Sequence, residues 1–173
     1  NSDDAFRGSR AGAESAYVYG SVNLSHVHRL PLSCVWTTDI TAQLASTNLL
    51  GSEQLAASGA FGVRGYSENA LYADNGFVIR NELSLPSFST TGLFMEEGCD
   101  DLQLYLFGDY ALTASSERLP KEPSSIDIGS AGVGLSYRLL DCLSVNASYG
   151  HKLIGLFDGE DDGRFHVNIQ ASF

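Results

Sequence analysis

The chain has 173 residues, a length typical of one domain, and 43% of them are hydrophobic, which excludes a disordered chain. Its net charge of −11 excludes nucleic-acid binding as a main role, because phosphate recognition needs clustered Lys and Arg. The apolar runs are only a few residues long, far short of the roughly 20 that a transmembrane helix needs.

Seven segments alternate apolar and polar residues, and this period of two places the two sets on opposite faces of a β-strand. In chain order they are Val18–Ser25, Trp36–Leu44, Phe77–Leu85, Leu102–Asp109, Ala131–Leu139, Leu143–Gly150 and Phe165–Phe173. Most are predicted to extend to about ten residues, beyond the usual five or six and within the range of a tilted transmembrane strand.

The predicted connections alternate between short and long. Tight turns are expected at Arg29–Leu32 and Leu140–Asp141, and long polar connections at Ala114–Ser125 and Ile154–Gly163, the longest being Gly51–Gly76. Outer-membrane barrels have short periplasmic turns and long external loops. The connection at residues 87–100 departs from this pattern, because it is long although it falls on the side predicted to have short periplasmic turns. The sequence therefore predicts an all-β, antiparallel transmembrane β-barrel portion. A soluble β-sandwich that binds a ligand or protein is the alternative, because its strands alternate in the same way.

Three cysteines, Cys34, Cys99 and Cys142, fall at the same predicted rim, beside the short-turn ends of the strands. They lack a CxxC spacing, so a metal site is not predicted. A Cys99–Cys142 disulfide in an oxidising compartment and three unpaired thiols both remain open.

Two further groups of polar residues resemble metal-binding sequences, but the sequence favours a role without a metal ion for each. His26 and His28 lie at a strand end beside Arg29, which favours a membrane-interface position over metal binding. The acidic segment 158–163 lacks the alternating ligand spacing of a calcium loop, so we expect it to be a solvated external loop. The sequence contains no hydrolase, P-loop or zinc-enzyme motif, and neither an enzyme activity nor a cofactor is predicted.

One carboxylate lies within a strongly apolar predicted strand. Asp109 shares its face with Gln103, opposite Leu102 and its apolar neighbours, so it should point into a lumen, because a charge facing lipid is costly. A buried carboxylate needs a cation. Arg64, which lies in the longest loop between Gly62 and Gly65, is a candidate partner; a solvated loop arginine is the alternative.

These residues carry a family resemblance. The sequence Gly-Val-Arg-Gly-Tyr at residues 62–66, followed by Asn-Glu-Leu at 81–83, resembles the signature of the Omp85 superfamily and, within it, the two-partner secretion transporters of the haemolysin secretion/activation family. Phe-Gly-Asp at 107–109 resembles that family's Phe-x-Asp motif. The resemblance implies roles for the loop motif Val63, Arg64, Gly65 and Tyr66, for Phe107 and Asp109 on the inner barrel wall, and for Phe173 as the terminal aromatic signal for barrel assembly.

The resemblance also implies a function. Residues 1–173 would be the C-terminal portion of a bacterial outer-membrane barrel of about sixteen strands, and the loop 48–76 would fold into the pore so that Arg64 meets Asp109. The barrel would export a partner exoprotein, contact outer-membrane lipid and be inserted by the barrel-assembly machinery. A barrel that anchors a patatin-like enzyme, or an outer-membrane assembly factor, is the alternative within the superfamily.

Overall fold

The computed structural model describes residues 3–68, 70–93, 99–118, 123–140, 142–156 and 161–172. Within these residues the chain forms one short α-helix, α1, and nine β-strands. Their bounds are α1 Asp3–Ser9, β1 Tyr19–Arg29, β2 Val35–Ala45, β3 Leu55–Ala56, β4 Tyr72–Ala73, β5 Asn75–Ser84, β6 Asp100–Ala114, β7 Ile126–Leu139, β8 Leu143–Lys152 and β9 Gly163–Ala171. Single 3₁₀ turns span Pro31–Ser33 and Thr91–Leu93.

The seven long strands form one antiparallel sheet in the order β1-β2-β5-β6-β7-β8-β9, so that each pairs with its neighbour in the chain once β3 and β4 are set aside. They run from nine residues in β9 to fifteen in β6. The predicted all-β fold with seven long antiparallel strands is thereby confirmed. The sheet is not closed, because among the described residues β1 and β9 each pair on one side only.

The alternation sorts the sheet into an apolar outer face and a polar inner face. In β9 the outward Phe165, Val167 and Ile169 are exposed, whereas the side chain of the inward His166 is largely buried. Cross-strand partners share a face, and the outward apolar residues therefore form a continuous surface across the strands. An exposed apolar surface of this extent is typical of a membrane or protein contact.

The loop between β2 and β5 covers the inner face and forms the hydrophobic core there. Its apolar side chains pack on inward residues of β5, β6 and β7, and the cluster consists of Leu55, Ala57, Val63, Tyr66, Leu71, Val78, Ala111 and Ile128. The core thus lies between a loop and one sheet. This arrangement disfavours the β-sandwich alternative, in which two sheets pack face to face.

Two features were not predicted. The loop was expected to contain no strand, yet β3 and β4 pair within it, with Leu55 opposite Ala73. Strands of two residues are too short for alternation to be visible. The helix α1 was also missed. None of the helices in the described residues is long and apolar enough to cross a membrane.

The remaining predictions concern the cysteines, a metal site, Phe173 and the acidic loop. The three cysteines lie within the described residues and no disulfide joins any two of them, so Cys99 and Cys142 are not bridged, although a hydrogen bond of 2.9 Å from Leu140 N to Cys99 O brings their turns together. No group of three metal-ligating side chains occurs in the described part of the chain. Phe173 and residues 158–160 of the predicted acidic loop lie outside the described residues.

Candidate functional site

The in-folded loop brings Arg64 onto Asp109 of β6. The Arg64 guanidinium donates from Nε to Asp109 Oδ2 at 2.7 Å and from Nη2 to Oδ1 at 2.9 Å. The backbone N of Arg64 also donates to Oδ2 at 3.1 Å. The side chains are 4% and 0% exposed, respectively. The two-pronged contact uses the planar fork that lysine lacks, and the carboxylate receives three donors from one residue.

Two inner-wall side chains complete the surroundings of Arg64. Its Nη1 donates to Glu82 Oε2 of β5 at 3.0 Å, and its Cζ lies 3.7 Å from the centroid of the Phe107 ring. The guanidinium is therefore held at its edges by two carboxylates and on one face by an aromatic ring. Burial disfavours the charged form of Arg64, but the hydrogen bonds and charges of Asp109 and then Glu82 outweigh this, so its pKa lies above the ordinary value.

A second arginine lies beside this cluster. Arg80 of β5 is opposite both Asp39 of β2 and Asp109 of β6 in the sheet register. Its Nη1 is 3.5 Å from the carbonyl oxygen of Phe61, and its Nε is buried without a hydrogen-bond partner in the described residues. The inner wall thus alternates cations and anions at the level of the loop tip.

The residue after Arg64 makes the closest backbone approach to the wall. Gly65 has φ of +95° and lies against Gly150 of β8, where a side-chain carbon added to Gly65 would sit 2.8 Å from Gly150 O. The Gly65 N–H donates to His166 Nε2 of β9 at 3.1 Å. A side chain at either glycine would hold the loop away from the sheet.

Tyr66 anchors the motif on its other side. Its ring is almost fully buried in the loop core, and the single proton of its hydroxyl is shared between two nearby carbonyl oxygens, those of Gly129 at 2.9 Å and of Ile154. The same hydroxyl accepts from Gly129 N at 3.2 Å. Val63, the first residue of the predicted motif, is fully buried in the same core. All four loop-motif residues therefore lie against the inner face, together with Phe107 and Asp109.

The base of the loop contains an ion pair that the sequence analysis did not identify. Asp74 is fully buried and receives two donors from the guanidinium of Arg10, one of them at 2.9 Å from Nη2. It also accepts from Leu49 N at 2.9 Å and from Ser116 N at 3.2 Å. Asp-Asn-Gly at 74–76 resembles an ordinary turn, and nothing in the sequence distinguishes Asp74 from a solvated turn residue.

Replacing Glu82 with Gln should weaken the site only partly. The variant keeps an oxygen near Arg64 Nη1 but loses one charge, while all three hydrogen bonds from Arg64 to Asp109 remain. We expect the detergent-solubilised full-length protein to lose about 1 kcal/mol of stability, less than the roughly 1.5–3 kcal/mol of a complete hydrogen bond to a charged group, because the amide oxygen keeps part of the contact. Thermal unfolding monitored by electrophoretic mobility measures this change. A loss as large as that of an Asp109 variant would show that Glu82 contributes as much as Asp109 and would contradict this prediction.

Comparisons with known proteins agree with this architecture. The family described as haemolysin secretion/activation protein ShlB/FhaC/HecB matches residues 2–137. The heme/hemopexin transporter protein HuxB of Haemophilus influenzae (strain 86-028NP) is 28% identical over 162 residues, which are 92% of this chain and 28% of the relative. The chain therefore spans little more than a quarter of that relative's length. No solved structure is significantly similar to the chain.

Proposed function

The chain belongs to the haemolysin secretion/activation protein family, whose members are outer-membrane transporters of Gram-negative bacteria and not enzymes, and we propose that it forms the pore region of such a transporter, which exports a partner protein. The observation that carries the proposal is the loop seated on the inner face of an outwardly apolar sheet through Arg64 and Asp109. The family match favours this function over a barrel that anchors a separate enzyme, because the members of the matched family are transporters.

The wall itself supports transport of a polypeptide. The inward side chains of β8 and β9 beside the loop are polar. They lie near the loop tip, but a space remains between these side chains and the loop. They line a cavity of about 450 Å³ with the loop, and include Asn146, Arg164, His166 and Asn168. A polar wall offers hydrogen-bond partners to a polypeptide that passes through the pore. It has no continuous apolar surface that would bind the polypeptide and slow its passage.

In this proposal the Arg64–Asp109 pair holds the loop in one position within the pore. Three hydrogen bonds from a single loop residue to one carboxylate, in a setting that excludes water, define the position of the loop tip more tightly than apolar packing alone. The loop then defines the free cross-section through which the partner passes. We further propose that residues 1–173 are the C-terminal portion of the barrel, that outer-membrane lipid covers its apolar face and that the barrel-assembly machinery inserts it.

The proposed function is tested by removing the gene for the full-length transporter. We expect one large protein to disappear from the culture medium, to accumulate or be degraded inside the cell, and to return to the medium when the wild-type gene is restored. Comparison of the secreted proteins of the two strains by mass spectrometry measures this. An unchanged set of secreted proteins in the deletion strain would contradict the proposal.

A further inference from the structure

Three consecutive loop residues contact five consecutive strands of the sheet. Arg64 bonds to Glu82 on β5 and Asp109 on β6. Tyr66 bonds to Gly129 on β7, and Gly65 lies against β8 and bonds to β9. A strand-to-strand spacing of about 4.8 Å makes this a wide span for one tripeptide. The loop tip thus connects the middle of the sheet with its last strand.

The contact with the last strand depends on one side chain, His166. Its Nε2 accepts the Gly65 N–H at 3.1 Å, and its Nδ1 lies 3.2 Å from Glu68 Oε1. A neutral imidazole carries one proton. Because Nε2 acts as an acceptor, that proton is on Nδ1, where it is donated to Glu68. Only 9% of the His166 side chain is exposed, so water does not readily replace its bond to the Gly65 N–H, whereas the Glu68 side chain is 54% exposed and that bond is open to solvent.

Glu68 extends the same contact back to the loop tip. Its Oε1 accepts the backbone N–H of Ala60 at 2.7 Å. Ala60 lies in the tight turn that precedes Val63, in which Gly62 N donates to Gly59 O at 3.2 Å. His166 therefore binds the loop at two places, directly at Gly65 and through Glu68 at the turn.

We propose that His166 is a positioning residue that ties the tip of the in-folded loop to the last strand, independently of the Arg64–Asp109 pair. The interaction works in both directions: the loop tip is held at β9, and β9, which pairs with β8 alone among the described residues, is held in place by the loop. Its consequence for export rests on the function proposed above, but the anchoring itself does not.

The test measures the position of the loop in the full-length protein, not export. Val63 is fully buried beneath the loop tip, and a cysteine in its place is close to isosteric. In a background where Cys34, Cys99 and Cys142 are serines, Val63→Cys should react slowly with a membrane-impermeant maleimide. His166→Leu, which retains bulk but has no acceptor, should raise the labelling rate at least several-fold.

Two comparison variants separate positioning from general damage. His166→Gln keeps an acceptor at the end of the side chain and should restore slow labelling. Gln170→Leu makes the same kind of change four residues along the same inward face, where the described residues show no hydrogen bond to the loop, and should leave labelling at the parent rate.

Either of two results would overturn the inference. One is slow labelling in His166→Leu. The other is fast labelling in His166→Gln equal to that in His166→Leu, which would show that the acceptor has no role. Secretion assayed in the same strains reports separately on the proposed function, since the labelling result holds even if no partner is exported.

Discussion

Replacing Asp109 with Asn in the full-length transporter should reduce export of the partner protein to a small fraction of the parent level, while the barrel still reaches the outer membrane. Asn has nearly the same shape, so no cavity forms, but its amide group turns hydrogens toward at least one of the Arg64 nitrogens. The buried guanidinium then keeps only Glu82 as a charged partner. Removing one member of a buried ion pair costs about 3–5 kcal/mol.

The amount of partner in the medium measures export, and the heat-dependent electrophoretic mobility of the transporter measures barrel assembly. Asp39→Asn is the matched control, because Asp39 is also an inward carboxylate in a central strand but is exposed and makes no hydrogen bond to the loop among the described residues. It should secrete at the parent level. Parent-level secretion by the Asp109 variant would remove the pair from the mechanism.

Replacing Gly150 with Ala should have a similarly large effect by a steric route. A methyl group there would lie 2.7 Å from Gly65 N and 2.8 Å from the carbonyl carbon of Arg64. These are backbone atoms, which cannot rotate away as a side chain would, so the loop tip has to move off the wall. The Arg64–Asp109 and Gly65–His166 bonds are then weakened together, and we expect export to be largely lost.

The Gly150 variant has a clean control in Gly108→Ala. A methyl group at Gly108, on the outer face of β6, would meet no atom within 4 Å. Both substitutions remove the same conformational freedom from a strand, so the difference between them isolates the contact with the loop. Secretion and the labelling of Val63→Cys should change in the Gly150 variant alone. Slow labelling in Gly150→Ala would show that the wall accommodates the methyl group.

Much of the site could be anticipated from local sequence because its residues are unusual for their positions. Asp109 has inward parity in an apolar strand, and Arg64 lies between two glycines in a long loop. The alternation of residues placed Phe107 on the inner face. It could not predict that the Phe107 ring lies against the Arg64 guanidinium, with 3.7 Å between the ring centroid and Cζ. That contact depends on how deeply the loop enters.

The other contacts of the loop and of its base could not be predicted, because they also depend on the path that the loop takes. Glu82 belongs to the Asn-Glu-Leu segment of the family signature, but it was not predicted to be a partner of Arg64. His166 is 101 positions from Gly65 in the sequence. It alternates with apolar residues in the same way as Asn168, so the pattern did not single it out. Arg10 and Asp74 are 64 positions apart, and each resembles an ordinary polar surface residue in its own segment.

The sequence by itself determined the number of long strands and the face that each side chain takes. These follow from a period of two, which is local and repeats along each strand. Only the tertiary structure decided which inward residues hold the loop. That choice depends on the path of a loop of nearly thirty residues between β2 and β5, which no local period encodes.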